Sequence, residues 1–263
     1  HRTPRQSAAG PSRTSSPARS DPPTNGPVYA QRPSKAVTRL VLVEMLQRIA
    51  GFADVSKYQY VGFGALEFVD FDLMHRRLGL TKMTSIEVKP RQIVRQSANI
   101  PYNGIRVVEG DAKDMLPLLN WEPLSIVWLD YERALNSQIV IPAVEYLARK
   151  LLPGSVLAVT LRAEPHKPLE ERLQKLKDDI GPERVPARTT DNTLGDWGTA
   201  HLQREVLDSI IRADVLSRPG GQDTWRQLLN IEYCDVTRMQ IVAGIIGGPS
   251  LNQAIASCGF DKL

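Results

Sequence analysis

From about residue 58 to residue 161, apolar strand-like runs alternate with helix-like segments. The clearest runs are residues 124–130 (LSIVWLD) and 155–161 (SVLAVTL). A run that is apolar at nearly every position is covered on both faces, as parallel strands under helices are. Shorter runs at 58–63, 83–87 and 105–111, the last including its exit turn, precede these two. Helix-like segments at 65–78, 90–98, 112–119 and 137–151 fill the intervals, and this spacing implies right-handed βαβ units. Two further runs, 228–234 and 239–246, are separated by only four residues. So short a link cannot make a parallel crossover, so these two pair as an antiparallel hairpin. The expectation is a Rossmann-like doubly wound α/β sheet of five parallel strands with a terminal antiparallel hairpin.

Before the first strand, Pro33-Ser34 opens a helix. Ser34 is the candidate cap, Val37, Leu40, Val41, Val43, Met45, Leu46 and Ile49 form an apolar stripe, and Gly51 ends it. Residues 165–225 are expected to form a helical insertion on the substrate side, with helices at 168–180 and 200–213 around the polar segment TTDNTLGDWG. The domain as a whole is expected to span 34–263.

The chain's basic balance resides in its first 33 residues. They hold five arginines, one acid, seven prolines and five serines, a composition expected of a disordered tail. Residues 34–263 carry 28 basic and 28 acidic residues. A neutral folded part lacks the basic footprint of a nucleic-acid binder. No apolar run reaches the ~18 residues of a membrane span. The two cysteines, Cys234 and Cys258, have no metal-ligand company, which suits a reducing, cytoplasmic setting.

Chemistry concentrates at the strand ends. Residues 58–65 (YQYVGFGA) read as a buried strand breaking into a glycine turn, where Gly62 and Gly64 let backbone approach a ligand closely. About 25 residues on, MTSIE places Glu87 at the tip of the next strand, where a carboxylate can accept both hydroxyl hydrogens of a ribose. Asp111 follows the third strand, either capping the helix that starts at Ala112 or meeting a ligand. Asp130 ends the fourth strand, where open α/β sheets bind their ligands. Together these point to a nucleoside-cofactor enzyme. The ordinary alternatives are a plain turn at Gly62-Phe63-Gly64 and solvated acids at the strand tips.

On YVGFGALEF, DFDLMHRRLGL and MTSIE, the chain resembles class I S-adenosylmethionine-dependent methyltransferases, and within them a bacterial O-methyltransferase family. The resemblance covers about residues 32–165. It implies that Gly62, Phe63 and Gly64 form the turn beside the methionyl part of the cofactor. Glu87 would then hold the ribose, Asp111 and Ala112 would meet the adenine, and Asp130 would face the methionyl amino group or the substrate. The usual third glycine is missing, since Ala65 and Leu66 follow Gly64. Methyl transfer is an in-line displacement that sometimes needs a base. Asp130, Glu132 and His166 are the catalytic candidates, with His201 also considered, and Tyr131 and Trp197 as pocket walls. Metal-dependent members of this class pair the acid after strand four with Asp-Asn after strand five. Here Arg162-Ala163-Glu164 stands there, so no metal is expected. The expected partner is a small-molecule acceptor, most simply one methylated on oxygen. Two alternatives remain open: a cofactor-binding regulatory subunit without turnover, and a nicotinamide oxidoreductase, which would share Gly62, Gly64 and Glu87.

Overall fold

The computed structural model describes residues 33–234 and 236–260. Seven strands form one sheet in the order β3-β2-β1-β4-β5-β7-β6. The strands are β1 (Gln59–Gly62), β2 (Lys82–Glu87), β3 (Ile105–Glu109), β4 (Ser125–Asp130), β5 (Val156–Arg162), β6 (Thr224–Cys234) and β7 (Arg238–Gly247). The first five pair in parallel, β7 runs antiparallel to β5, and β6 closes the hairpin. The expected doubly wound sheet with a terminal hairpin is the architecture found.

Strand alternation divides the core between the two faces. Val61, Val127, Leu129, Leu157 and Val159 point to one face and pack with α5 (Val140–Lys150) and α7 (Gly198–Leu216). Tyr60, Ile126, Trp128, Val156 and Ala158 point to the other and pack with α1 (Pro33–Gln47) and α2 (Val69–Leu78). Between α2 and α5 lie α3 (Pro90–Ala98) and the four-residue α4 (Ala112–Met115). The remaining helices are α6 (Arg172–Ile180) and α8 (Asn252–Ser257). The strand order reverses at β1, with β2 on one side and β4 on the other. Such a switch point opens a crevice beyond the carboxyl ends of the strands.

Several local expectations need correcting. The helix expected over 65–78 begins only at Val69, because Ala65 (φ 47°) and Phe68 (φ 50°) adopt left-handed backbone that no helix continues. Phe68 is wholly buried there, edge-on to Phe71, so a core side chain anchors the turn. Ser34 lies within the first turn of α1, and its hydroxyl donates to the carbonyl of Cys234. Val37 and Leu40 lie 61% and 51% exposed, while Lys35, Thr38 and Arg39 are buried in their place. The helical segment 137–151 starts at Val140, and α8 was not expected at all. The tail expected over residues 1–33 lies, except for Pro33, outside the described residues.

Candidate functional site

A cleft of about 570 Å³ opens at the switch point, within the size range of small-ligand sites. After β1 it is lined by Phe63, Ala65, Leu66 and Glu67. The tip of β2 adds Ile86, Glu87, Val88 and Lys89, and α3 adds Gln92. Gly110, Asp111 and Ala112 follow β3, and Asp130, Tyr131, Glu132 and Arg133 follow β4. Phe63, Glu87, Asp111, Ala112, Asp130 and Glu132, all singled out in the sequence, are therefore brought to one cavity.

Gly62 and Gly64 do not line it. A Cβ on Gly62 would come 2.8 Å from the Tyr60 hydroxyl and 3.0 Å from the Trp128 carbonyl. One on Gly64 would come 2.6 Å from both Phe68 Cε1 and Ser85 Oγ. Contacts that short do not occur without displacement, so the glycines let the turn sit down on the core, and the lining is left to Phe63 and Ala65. His166 is not brought to the cleft either. Its Nε2 lies 2.8 Å from Asp179 Oδ2 on α6, which draws the ring toward the helical segment. His201 pairs with Glu232 at 3.2 Å beside a separate small hollow. Trp197 stacks under the Arg238 guanidinium, away from the lining.

Each carboxylate has a definite setting. Glu87 accepts the backbone N–H of Lys89 at Oε1 (2.8 Å) and the Gln96 amide at Oε2 (2.7 Å). A carboxylate has about four acceptor positions, so both oxygens keep capacity for a ligand's hydroxyls. Asp111 accepts the N–H of Lys113 and so caps α4 while also lining the cleft; the two roles coexist. Asp130 sits 2.5 Å from the Lys35 ammonium, both side chains nearly fully buried. One turn along α1, Arg39 meets Asp70 of α2, also at 2.5 Å and buried. Burial, reinforced by the charge of Asp130 and opposed by Arg39, raises the Asp70 carboxyl to about 6. Burial, with Asp70 and Asp130 adding to it, pushes the Tyr60 phenol well above its ordinary value. Tyr131 packs edge-on to Phe63, and its phenol is likewise raised, by burial first and by Asp111 second. Nothing in the sequence marks the buried Lys35, Arg39 and Asp70, since isolated charges on helices are usually solvated.

The cavity fits a nucleoside sulfonium. The turn at Gly64 leaves no room for a side chain beneath it, and Glu87 presents acceptor oxygens at a strand tip. Five acids against two bases in the lining suit a ligand whose reacting centre is a cation. Among the described residues, no group of three His, Cys, Asp or Glu side chains is placed to hold a metal, and no helix is long and apolar enough to cross a membrane.

A family model described as "Putative O-methyltransferase" matches residues 27–263. No curated protein sequence matches the chain. Among solved structures, similarity extends to the plantazolicin methyltransferase BamL in complex with triazolic desmethylPZN analog and SAH. That match has 11% identity, covers 83% of this chain and 88% of the other, and has a TM-score of 0.51. Trm1 from Pyrococcus horikoshii with S-adenosyl-L-methionine matches with 11% identity and a TM-score of 0.56, over 86% of this chain and 58% of the other. At such identities these likenesses establish the fold.

Proposed function

The chain belongs to this O-methyltransferase family and is an S-adenosylmethionine-dependent methyltransferase, and from that premise we propose that its acceptor is a hydroxyl oxygen of a small molecule. The observation that carries the proposal is the short β4 exit, Asp130 to Arg133, walling one end of a single cleft of about 570 Å³. A cavity of that size suits a cofactor and a compact acceptor. The balanced charge of residues 34–263 supports the same reading against a nucleic-acid acceptor. The reading includes one catalytic domain over 34–263, with 165–225 as its helical substrate-side region, and a cytoplasmic, bacterial-type enzyme.

In this proposal Glu87 holds the ribose hydroxyls, Asp111 and Ala112 border the adenine, and the turn at Gly62, Phe63 and Gly64 borders the methionyl part. When bound, the cofactor supplies a methyl carbon on a cationic sulfur, an electrophile that needs no further activation. The protein's own task is alignment, exclusion of water and removal of a proton. Asp130, held by Lys35, fixes the acceptor or the methionyl ammonium at the β4 tip. Glu132, exposed at the cleft mouth, takes the acceptor's hydroxyl proton on its carboxylate. His166, outside the lining and paired with Asp179, is the lesser candidate for that step.

The test is a survey of hydroxyl, amine and carbon acceptors with isotopically labelled methyl donor, read by mass spectrometry. Label on oxygen of a small molecule supports the reading, and label only on nitrogen, carbon or RNA contradicts it. Once an acceptor is found, Asp130→Ala is expected to lower turnover by a larger factor than it lowers cofactor affinity.

A further inference from the structure

The helix that follows Glu87 attaches to the sheet in an unusual way. Of the nine residues of α3, the only buried side chain is Gln96, a polar one, while Val94 lies 73% exposed. Gln96 meets Ser85, which is equally inaccessible and sits on the same side of β2 as Met83 and Glu87, two residues before Glu87. Neither residue lines the cleft. One hydrogen bond joins them to each other, and two join them to residues at or beside it. Gln96 Nε2 donates to Glu87 Oε2 (2.7 Å), Ser85 Oγ donates to Gln96 Oε1 (3.4 Å), and the Gly64 N–H donates to Ser85 Oγ (2.9 Å).

The direction of this chain is forced. An ionised carboxylate only accepts, so the amide nitrogen of Gln96 must face Glu87 and its oxygen must face Ser85. The serine hydroxyl then donates toward Gln96 Oε1 in a long, weak bond and keeps a lone pair for the Gly64 N–H. A Cβ on residue 64 would lie 2.6 Å from that same Ser85 oxygen, so the turn rests directly on the relay.

We propose that Ser85 and Gln96 are positioning residues for cofactor binding: together they fix the orientation of the Glu87 carboxylate that meets the ribose. The inference rests on the reading that Glu87 holds the ribose. A purely architectural role is the competing account, since buried polar groups are hydrogen-bonded wherever they occur. The two accounts differ in what they predict for different ligands. A positioning role for Glu87 acts on contacts to the ribose hydroxyls, whereas a packing role weakens all ligands alike.

The experiment measures calorimetric affinity for S-adenosylhomocysteine and for its 2′-deoxyribose analogue, in the parent, Gln96→Leu, Gln96→Met and Ser85→Ala. The parent is expected to prefer the ribose form by about tenfold or more, the effect of one hydrogen bond to a charged group. Gln96→Leu and Gln96→Met should weaken S-adenosylhomocysteine by about tenfold and the deoxy analogue, which keeps one hydroxyl for Glu87, by a smaller factor, so that the preference falls below the parent's. Ser85→Ala should move it the same way by a smaller factor, because the amide it frees still reaches Glu87. In a Glu87→Ala background, Gln96→Leu should cost no further affinity. A preference equal to the parent's in the variants that fold, with both ligands weakened alike or neither weakened, overturns the proposal. A parent protein that binds neither ligand overturns the cofactor-site reading itself, and this inference with it. Should Gln96→Leu not fold, the Met and Ser85→Ala variants decide the question alone.

Discussion

Replacing Gly64 by alanine tests the claim that the turn is seated on the core. The added Cβ would lie 2.6 Å from Phe68 Cε1, 2.8 Å from Phe68 Cδ1 and 2.6 Å from Ser85 Oγ. Carbon–carbon contacts settle near 3.5–4.0 Å, so the turn or the ring must shift by close to an ångström. Phe68 has little freedom to yield, being fully buried between the turn and Phe71. Forcing an extra carbon into such a place costs about 1–3 kcal/mol. Lifting the turn also strains the Gly64 N–H bond to Ser85, worth about 1 kcal/mol. The expected loss is about 2–4 kcal/mol, read as a lower urea midpoint at unchanged slope and as a melting temperature roughly 4–16 °C lower for a domain of this size. Because Phe63 and Ala65 line the cleft on either side of residue 64, affinity for S-adenosylhomocysteine should fall by about tenfold or more. A Gly64→Ala protein with the parent's stability and affinity would refute the reasoning.

Ala65 has φ of 47°, a region that costs a non-glycine residue roughly 1–2 kcal/mol. Ala65→Gly should therefore raise stability by up to about 1 kcal/mol, after the entropy of the added glycine is subtracted, as measured by urea unfolding. Asp70 gives a pH signature. Its folded carboxyl is raised from 3.8 to about 6, chiefly by burial, so the folded state binds the proton more tightly and stability falls as pH rises from about 4 to about 6. The difference in unfolding free energy between the parent and Asp70→Asn should decline across that window by up to ~1.4 kcal/mol per pH unit and level off above it. A difference that is flat or rises with pH contradicts the assignment.

The sheet was legible because each strand announces itself as an apolar run, and the short 234–238 link permits only a hairpin. The cleft acids were legible because strand tips are where such sheets bind ligands. Other features were hidden for identifiable reasons. The stretch ALEF reads as helix on composition, but burying Phe68 demands left-handed backbone at two positions, which local preference does not reveal. On α1 the buried stripe continues through Lys35, Thr38 and Arg39, so an apolar count picks the wrong face and places Val37 and Leu40 inside. Their burial depends on partners nearly a hundred residues away in one case, Asp130, and 31 in the other, Asp70. Ser85 left one trace: it lies inside a strand whose neighbours Met83 and Ile86 are buried on opposite faces, so its hydroxyl had to be buried as well. Gln96 left none.

The central claim is that the cleft is built around a ribose-bearing cofactor gripped by Glu87, and calorimetry with S-adenosylhomocysteine on the parent and on Glu87→Ala addresses it most directly. Charge-assisted hydrogen bonds to the hydroxyls are worth about 1.5–3 kcal/mol each. The parent should bind, and Glu87→Ala should bind on the order of tenfold to several hundredfold more weakly with its fold intact, since the residue sits at a strand tip. Equal affinity in the two proteins would reduce Glu87 to a surface charge and contradict the account.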